Sequence, residues 1–328
     1  MASTVSMAFE EFMTEYVRLD PTQTTTARSS RDNLISNIDR FSGDDDFFVL
    51  ADGCHLKFGS FARRTKIRPL DDIDLMIYIS AEGLRTYTGS GSTFYISGSE
   101  GDRTNGLLTY NTNYLNSTKV INRFIKKLGN LNDYSKAEMH KNQEAATLQL
   151  KSYTWNFDIV PCFHMDIDKY LIPDGSGNWK KTDPRIDNQR MTDLNQKHKR
   201  NLLDVIRLVK YWNNRKVTLT MGSYLLECMI LEVYENKAEK EHYYIDLEFR
   251  DLLGTLSGKI LSDVYDPKGI QGNLNYLSLD ERLKISLVLS AAHKNAKEAS
   301  TLELTDKNQE AAIAKWKTVL GPNFPDYS

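Results

Sequence analysis

Asp72 and Asp74 stand one residue apart at the head of a run of strand formers, Leu75 to Ile79. Side chains alternate across a strand, so both carboxylates project from one face, about 6.5–7 Å apart along the backbone. That separation lets two carboxylates converge on one pair of hard cations, for which magnesium is the usual choice. With no cation between them, like charges aimed into one site repel. Upstream, a short apolar run leads into Gly59-Ser60. Glycine lets backbone approach a ligand closely, and a serine hydroxyl with neighbouring N–H groups can hold phosphate oxygens. Arg63, Arg64, Lys66 and Arg68 crowd the connection between the two motifs and could offset the charge of a triphosphate. Taken singly, Gly-Ser is a turn, Asp-x-Asp a solvated strand start and the basic cluster a solvated surface. In this order, followed by a buried strand, they point to a site for metal and phosphate.

A third carboxylate lies in Phe157-Asp158-Ile159-Val160-Pro161, within a strand expected over Tyr153 to Val160. An acid flanked by Phe and Ile is expensive to bury alone and needs a cation or a dense hydrogen-bond shell. Asp158 is the expected third metal ligand if the sheet sets its strand beside Asp72 and Asp74; otherwise it is a strand-end acid at the surface. Met165-Asp166-Ile167-Asp168 repeats the Asp-x-Asp spacing. It lacks an upstream Gly-Ser and an apolar continuation, and is expected to be exposed.

Gly59-Ser60 followed by Asp72-x-Asp74 in an apolar strand resembles the signature of the polymerase-β-type nucleotidyltransferases. The longer wording, Phe58-Gly59-Ser60-Phe61-Ala62-Arg63 and Ile67-Arg68-Pro69-Leu70-Asp71-Asp72-Ile73-Asp74-Leu75, is similar to the cGAS/DncV-like nucleotidyltransferases (CD-NTases), bacterial relatives of cyclic GMP-AMP synthase. The resemblance implies an α/β (α+β) fold: a polymerase-β-like core with a mixed sheet, a C-terminal helical lobe, and a nucleotide in the cleft between them. It implies Asp72, Asp74 and Asp158 as catalytic ligands of two Mg2+ ions, with Mn2+ as an alternative, and Gly59, Ser60 and Arg63 as nucleotide-binding. Leu208-Val209-Lys210-Tyr211-Trp212 and Ser223-Tyr224-Leu225-Leu226-Glu227 look like the family's second-lobe segments. That likeness implies Lys210 and Ser223 on phosphates and Tyr224 stacked on a base. From the pattern alone, Ser223 reads equally well as a helix cap beside a packed Tyr224.

The implied activity is synthesis of a cyclic di- or trinucleotide second messenger from NTPs, in bacterial antiphage (CBASS-type) signalling. The implied partners are a separate effector reached through the diffusible product, and regulators from the same defence operon. Two alternatives stay open. One is nucleotide transfer to a tRNA, an antibiotic or a protein. The other is a catalytically inactive nucleotide-binding scaffold.

Such a site needs a sheet to hold the acids and a second unit beyond it. The core is expected over residues 1–190 and the helical lobe over 191–328. Helical spacing marks Val5 to Leu19 and Thr25 to Phe41, with a break at Pro21. Phe47 to Leu50 and Cys54 to Phe58 are short expected strands that deliver the chain to Gly59. Glu82 to Gly106 is rich in Gly, Ser and Thr; it reads as a mobile insert or lid with a short strand near Thr93 to Ser97, and lacks the Gly-Lys-Ser/Thr ending of a P-loop. A helix is expected over Tyr114 to Leu128 and a strand over Ala146 to Leu150. Beyond Met191, helices are expected at 202–212, 223–233, 244–256, 277–294 and 303–320.

Lysine and arginine total 42 against 44 aspartates and glutamates, a formal charge of −2. This balance gives no global pull toward nucleic acid or anionic membrane, so no nucleic-acid activator is expected. Three cysteines are scattered without a CxxC or Cys/His cluster, which argues against zinc and against a disulfide framework. No apolar run reaches membrane-spanning length, and the first residues carry acids without a long apolar core. The expected location is cytoplasmic.

Overall fold

The structure, a computed structural model of the chain, describes residues 2–328 except 52, 83, 99–102, 105, 167–168 and 216–219. In chain order the elements are α1 (Val5–Phe12), α2 (Pro21–Asp39), β1 (Leu56–Phe58), α3 (Gly59–Ala62), β2 (Asp72–Ile79), β3 (Thr86–Thr88), β4 (Phe94–Ile96), α4 (Ser117–Gly129), β5 (Glu138–Asn142), β6 (Ala145–Gln149), β7 (Asn156–Asp166), β8 (Lys169–Pro173) and β9 (Trp179–Thr182). Helices follow: α5 (Pro184–Lys197), α6 (Leu202–Asn214), α7 (Ser223–Glu235), α8 (Ile245–Lys259), α9 (Leu279–Leu304) and α10 (Gln309–Leu320). The chain divides into two compact units. One comprises residues 21–63 and 69–188; the other takes residues up to 20, 64–68 and those from 189 onward.

The first unit is built on one mixed sheet of order β1-β2-β7-β8-β9-β4-β3, with the β5–β6 hairpin joined to β7 through β6. β2 and β7 are parallel; β1 pairs antiparallel with the other side of β2. β7 is long enough to serve two partners on its far side, β6 along its first half and β8 along its second. One face carries Ile73, Leu75, Ile77, Phe157 and Ile159, all fully buried. α4 packs on the sheet and buries Val120, Ile121, Phe124 and Leu128, spaced as one helical face requires. Asn116 starts that helix, its side chain accepting from the Lys119 N–H at 3.1 Å.

Several expectations are revised here. Phe47 to Leu50 is not a strand; Leu50 makes only an isolated bridge to Ile79. The polar insert contributes β3 and β4, which pair with each other and reach β9 at Phe94 opposite Trp179. Its Ser99, Glu100 and Gly101 lie outside the described residues. Pro21 and Pro184 open helices, because proline at the first helical position gives up an N–H that has no partner there.

The second unit is helical. α1 buries Val5, Ala8, Phe9 and Phe12, with Phe9 edge-on to Trp316 at 5.0 Å and Phe12 edge-on to Phe324 at 5.2 Å. Aromatic area of this kind explains why the first residues pack with the last helices rather than with the sheet that follows them in sequence. Both helices expected after residue 277 are present with a shifted break: α9 runs past 294 to Leu304 and ends before Lys307 at φ +55°, and α10 begins at Gln309. Among the described residues no helix is long and apolar enough to cross a membrane.

At the middle of this unit Lys210, on α6, and Glu227, on α7, form a buried ion pair of 2.9 Å. Thr65, fully buried, donates its hydroxyl to the same Glu227 oxygen at 2.8 Å. Removing one member of such a pair strands the other charge, whereas replacing both by apolar residues is close to neutral. Glu227→Leu should therefore lower unfolding free energy by about 3–5 kcal/mol. Glu227→Leu with Lys210→Met should recover most of it. Urea unfolding followed by circular dichroism reads both. A wild-type midpoint for Glu227→Leu would contradict the buried pair.

Candidate active site

The site starts where β1 ends. Phe58 lies opposite Asp74 in the β1–β2 ladder, and the next residue, Gly59, turns the chain with φ +72°. A Cβ built on Gly59 would fall 1.7 Å from Asp74 Oδ2. The Asp74 carboxylate thus rests against the glycine backbone, in space that a side chain would fill. Glycine is required twice over, for the left-handed conformation and for the approach. α3 then carries Ser60 through one short turn, closed by the Arg63 N–H donating to the Gly59 carbonyl at 3.1 Å.

The parallel register of β2 and β7 sets Asp74 beside Asp158, and Asp72 beside Asn156. Register partners on neighbouring strands are about 4.8 Å apart at the backbone and point to the same face. All three aspartates therefore share one face at one end of two adjacent strands. Further along that face Met76, Val160, Cys162 and Tyr170 form a small apolar cluster, where burial pushes the Cys162 thiol well up. The sheet face thus changes from acidic to apolar within one two-residue repeat.

Asp158 is not left to carry its charge alone. Thr147, opposite it on β6, donates its hydroxyl to Asp158 Oδ1 at 2.6 Å. Sequence reading did not single out Thr147. Its only signal is a lone hydroxyl in the apolar run Ala145-Ala146-Thr147-Leu148. Among the described residues no three acidic, His or Cys side chains close into a ready-made ion-binding cluster. The three aspartates share a face without converging on a point.

In the second unit, Lys210 is 4% exposed and its ammonium faces Glu227. Ser223 is exposed and begins α7, but it is not the cap: Gly222 holds that position and no side chain caps the helix. Tyr224 is half-buried, its hydroxyl donating to Asp266 Oδ1 at 3.1 Å. Of the basic cluster, Arg68 is committed to the fold, its guanidinium donating to the carbonyls of Arg18 and Thr14. Asp166 is the last residue of β7, while Asp168 lies outside the described residues.

Gly59→Ala should displace Asp74 or the turn by about an ångström and reduce turnover on the order of 100-fold. Thr147→Val should reduce it roughly tenfold, the scale of one charge-assisted hydrogen bond of about 1.5 kcal/mol. Both are read in an NTP turnover assay, with thermal unfolding as the control for folding. Full turnover in Gly59→Ala would mean that Asp74 does not lie against that backbone when the site works.

Comparison with known proteins identifies the family. Residues 107–195 match the family described as Second Messenger Oligonucleotide or Dinucleotide Synthetase domain. A Bacillus cereus (strain VD146) protein named "Probable cyclic nucleotide synthase" is 41% identical over 337 residues, covering 100% of this chain and 99% of that protein. The cyclic AMP-AMP-AMP synthase of an Acinetobacter species is 25% identical over 202 residues, 60% of this chain and 57% of that protein. Among solved structures, Escherichia coli MS115-1 CdnC with ATP superposes with a TM-score of 0.70 at 16% identity, covering 97% of this chain and 98% of that one. Vibrio cholerae DncV cyclic AMP-GMP synthase follows at 0.61 and 14% identity, covering 83% of this chain and 70% of that one. These two likenesses carry the fold; the full-length identity carries the family. The chain belongs to the cGAS/DncV-like nucleotidyltransferases, the family of cyclic-oligonucleotide synthases.

Proposed function

We propose that the chain joins NTPs into a cyclic di- or trinucleotide that serves as a second messenger in bacterial antiphage signalling, acting on a separate effector. The observation that supports this most is the face shared by Asp72, Asp74 and Asp158 with the Gly59 turn against it. Carboxylate oxygens are the hard donors that magnesium takes, and three of them on one strand face leave coordination positions for substrate oxygens. Two magnesium ions, or manganese, bound there would lower the pKa of an attacking 2′- or 3′-hydroxyl and stabilise the departing pyrophosphate.

The chain's own residues then have separate tasks. Asp72, Asp74 and Asp158 hold the positive charge, with Thr147 fixing the Asp158 carboxylate. Gly59 and Ser60 offer backbone N–H groups and a hydroxyl to the phosphates, and Arg63 adds a cation. In the helical unit we assign Tyr224 to stack on a base and Ser223 to meet phosphate. Lys210 would meet phosphate only by exchanging Glu227 for it. Catalysis on this reading is mostly positioning and charge stabilisation. Residues 21–63 and 69–188 act as the catalytic core, and the remainder as the helical lobe.

The test is incubation of the purified protein with four labelled NTPs and magnesium, with no added acceptor. A small product resistant to phosphatase is expected, since a closed ring has no terminal phosphate. Asp72→Asn, Asp74→Asn and Asp158→Asn should each lose it while remaining folded. Label that appears only on an added tRNA, antibiotic or protein would replace this reading with transfer to an acceptor.

A further inference from the structure

We infer that Lys268 and Asp266 are positioning residues for Tyr224, fixing the plane in which its ring meets a base. The inference rests on the stacking role assigned to Tyr224 above. The observations behind it are contacts within the helical unit. Lys268 Nζ lies 4.3 Å from the centre of the Tyr224 ring and donates to its hydroxyl. The same ammonium is ion-paired with Asp266 at 2.9 Å, with the two side chains 3% and 0% exposed. The Tyr224 hydroxyl in turn donates to Asp266 Oδ1. Each group thus has a donor or acceptor matched to it, and the phenol is pinned at its oxygen by both partners.

The segment that carries Lys268 exists to hold this geometry. Asp266-Pro267-Lys268-Gly269-Ile270-Gln271-Gly272 folds around one carboxylate. Asp266 Oδ1 accepts from the Lys268 N–H at 3.2 Å, and Oδ2 accepts from Ile270 N–H at 3.2 Å and Gln271 N–H at 2.9 Å. The loop closes through the Asp266 N–H donating to the Gly272 carbonyl at 2.8 Å, and both glycines take positive φ, +65° and +70°. Burial raises the cost of the Asp266 charge, but the Lys268 ammonium and the loop N–H groups outweigh it and hold the carboxyl below its usual range. A lysine buried this far on a surface loop has given up most of its side-chain freedom. What it gains is one phenol, held in one orientation by an ammonium and a carboxylate at its hydroxyl. A ring already fixed loses less entropy when a base stacks on it, which strengthens binding without a new contact.

Nucleotide affinity in the presence of magnesium, measured with whichever of the four NTPs the wild-type chain binds best, tests this. Lys268→Met keeps the apolar stem and removes the ammonium that donates to the Tyr224 hydroxyl; it should weaken binding about fivefold. Tyr224→Phe keeps the ring and removes its anchor, with an expected loss of about threefold. Tyr224→Ala should lose about tenfold or more. The decisive sample is Tyr224→Ala with Lys268→Met. It should bind as Tyr224→Ala alone does, since Lys268 acts only through the ring. Wild-type affinity in Lys268→Met beside a weakened Tyr224→Ala overturns the inference, as do losses that multiply in the double variant, which would place Lys268 on the ligand itself. Wild-type affinity in Tyr224→Ala overturns the stacking role first, and the inference with it.

Discussion

The approach of the Asp74 carboxylate to the Gly59 backbone is the contact on which the rest of the site depends. Three requirements meet there. The turn needs positive φ, the space beside it admits no Cβ, and the carboxylate that fills that space is one of three sharing a strand face. The β1–β2 ladder supplies the distance by setting Phe58 opposite Asp74, so the residue after Phe58 must turn beside the acid. The β2–β7 ladder supplies the third carboxylate by placing Asp158 in register. A slip of one residue in either ladder would send these acids to the opposite face, among Ile73, Phe157 and Ile159. The apolar residues that alternate with the aspartates thus keep the charges where a cation can reach them.

The helical unit adds a second constraint of the same kind. Lys210, Glu227 and Thr65 form a buried polar set whose charges balance internally. Buried ion pairs contribute little net stability against apolar substitutes, so their usual value lies in specifying one arrangement. Here the arrangement specified is that of residues 64–68 on α6 and α7. Thr65 is held by Glu227, the Arg64 carbonyl accepts from Arg207, and Ile67 joins the helical core. In sequence, that short segment lies between the Gly59-Ser60 turn and the Asp72 strand.

Much of this was readable from residue types. Alternation placed Asp72 and Asp74 on one face, and the apolar neighbours of Asp158 marked it as an acid needing compensation. The family resemblance is matched by a full-length relative. What escaped the sequence had physical causes. Pro21 looked like a breaker, yet proline at a first helical position starts a helix. β5, β8 and β9 are polar or mixed, and it is the ladder that keeps them extended, since their own alternation is weak. Thr147 shows only a lone hydroxyl in an apolar run until pairing puts it across from Asp158. Ser223 resembled a cap, but a glycine one residue earlier took that place. The burial of Lys210 was hidden because Glu227 sits seventeen residues away, on another helix. For Thr147 and Lys210 a partner distant in sequence decides the role.

The central claim is that Asp74 and Asp158, paired across β2 and β7, hold the catalytic metal with Asp72 beside them. The most direct measurement is the anomalous scattering of Mn2+ in crystals grown with a non-hydrolysable NTP analogue. The account predicts a peak coordinated by both Asp74 and Asp158 and by the analogue's phosphate oxygens, with Asp72 on the same or a second ion. A peak that none of these carboxylates coordinates, or one bound by Asp72 and Asp74 with Asp158 still turned to Thr147 alone, would contradict it.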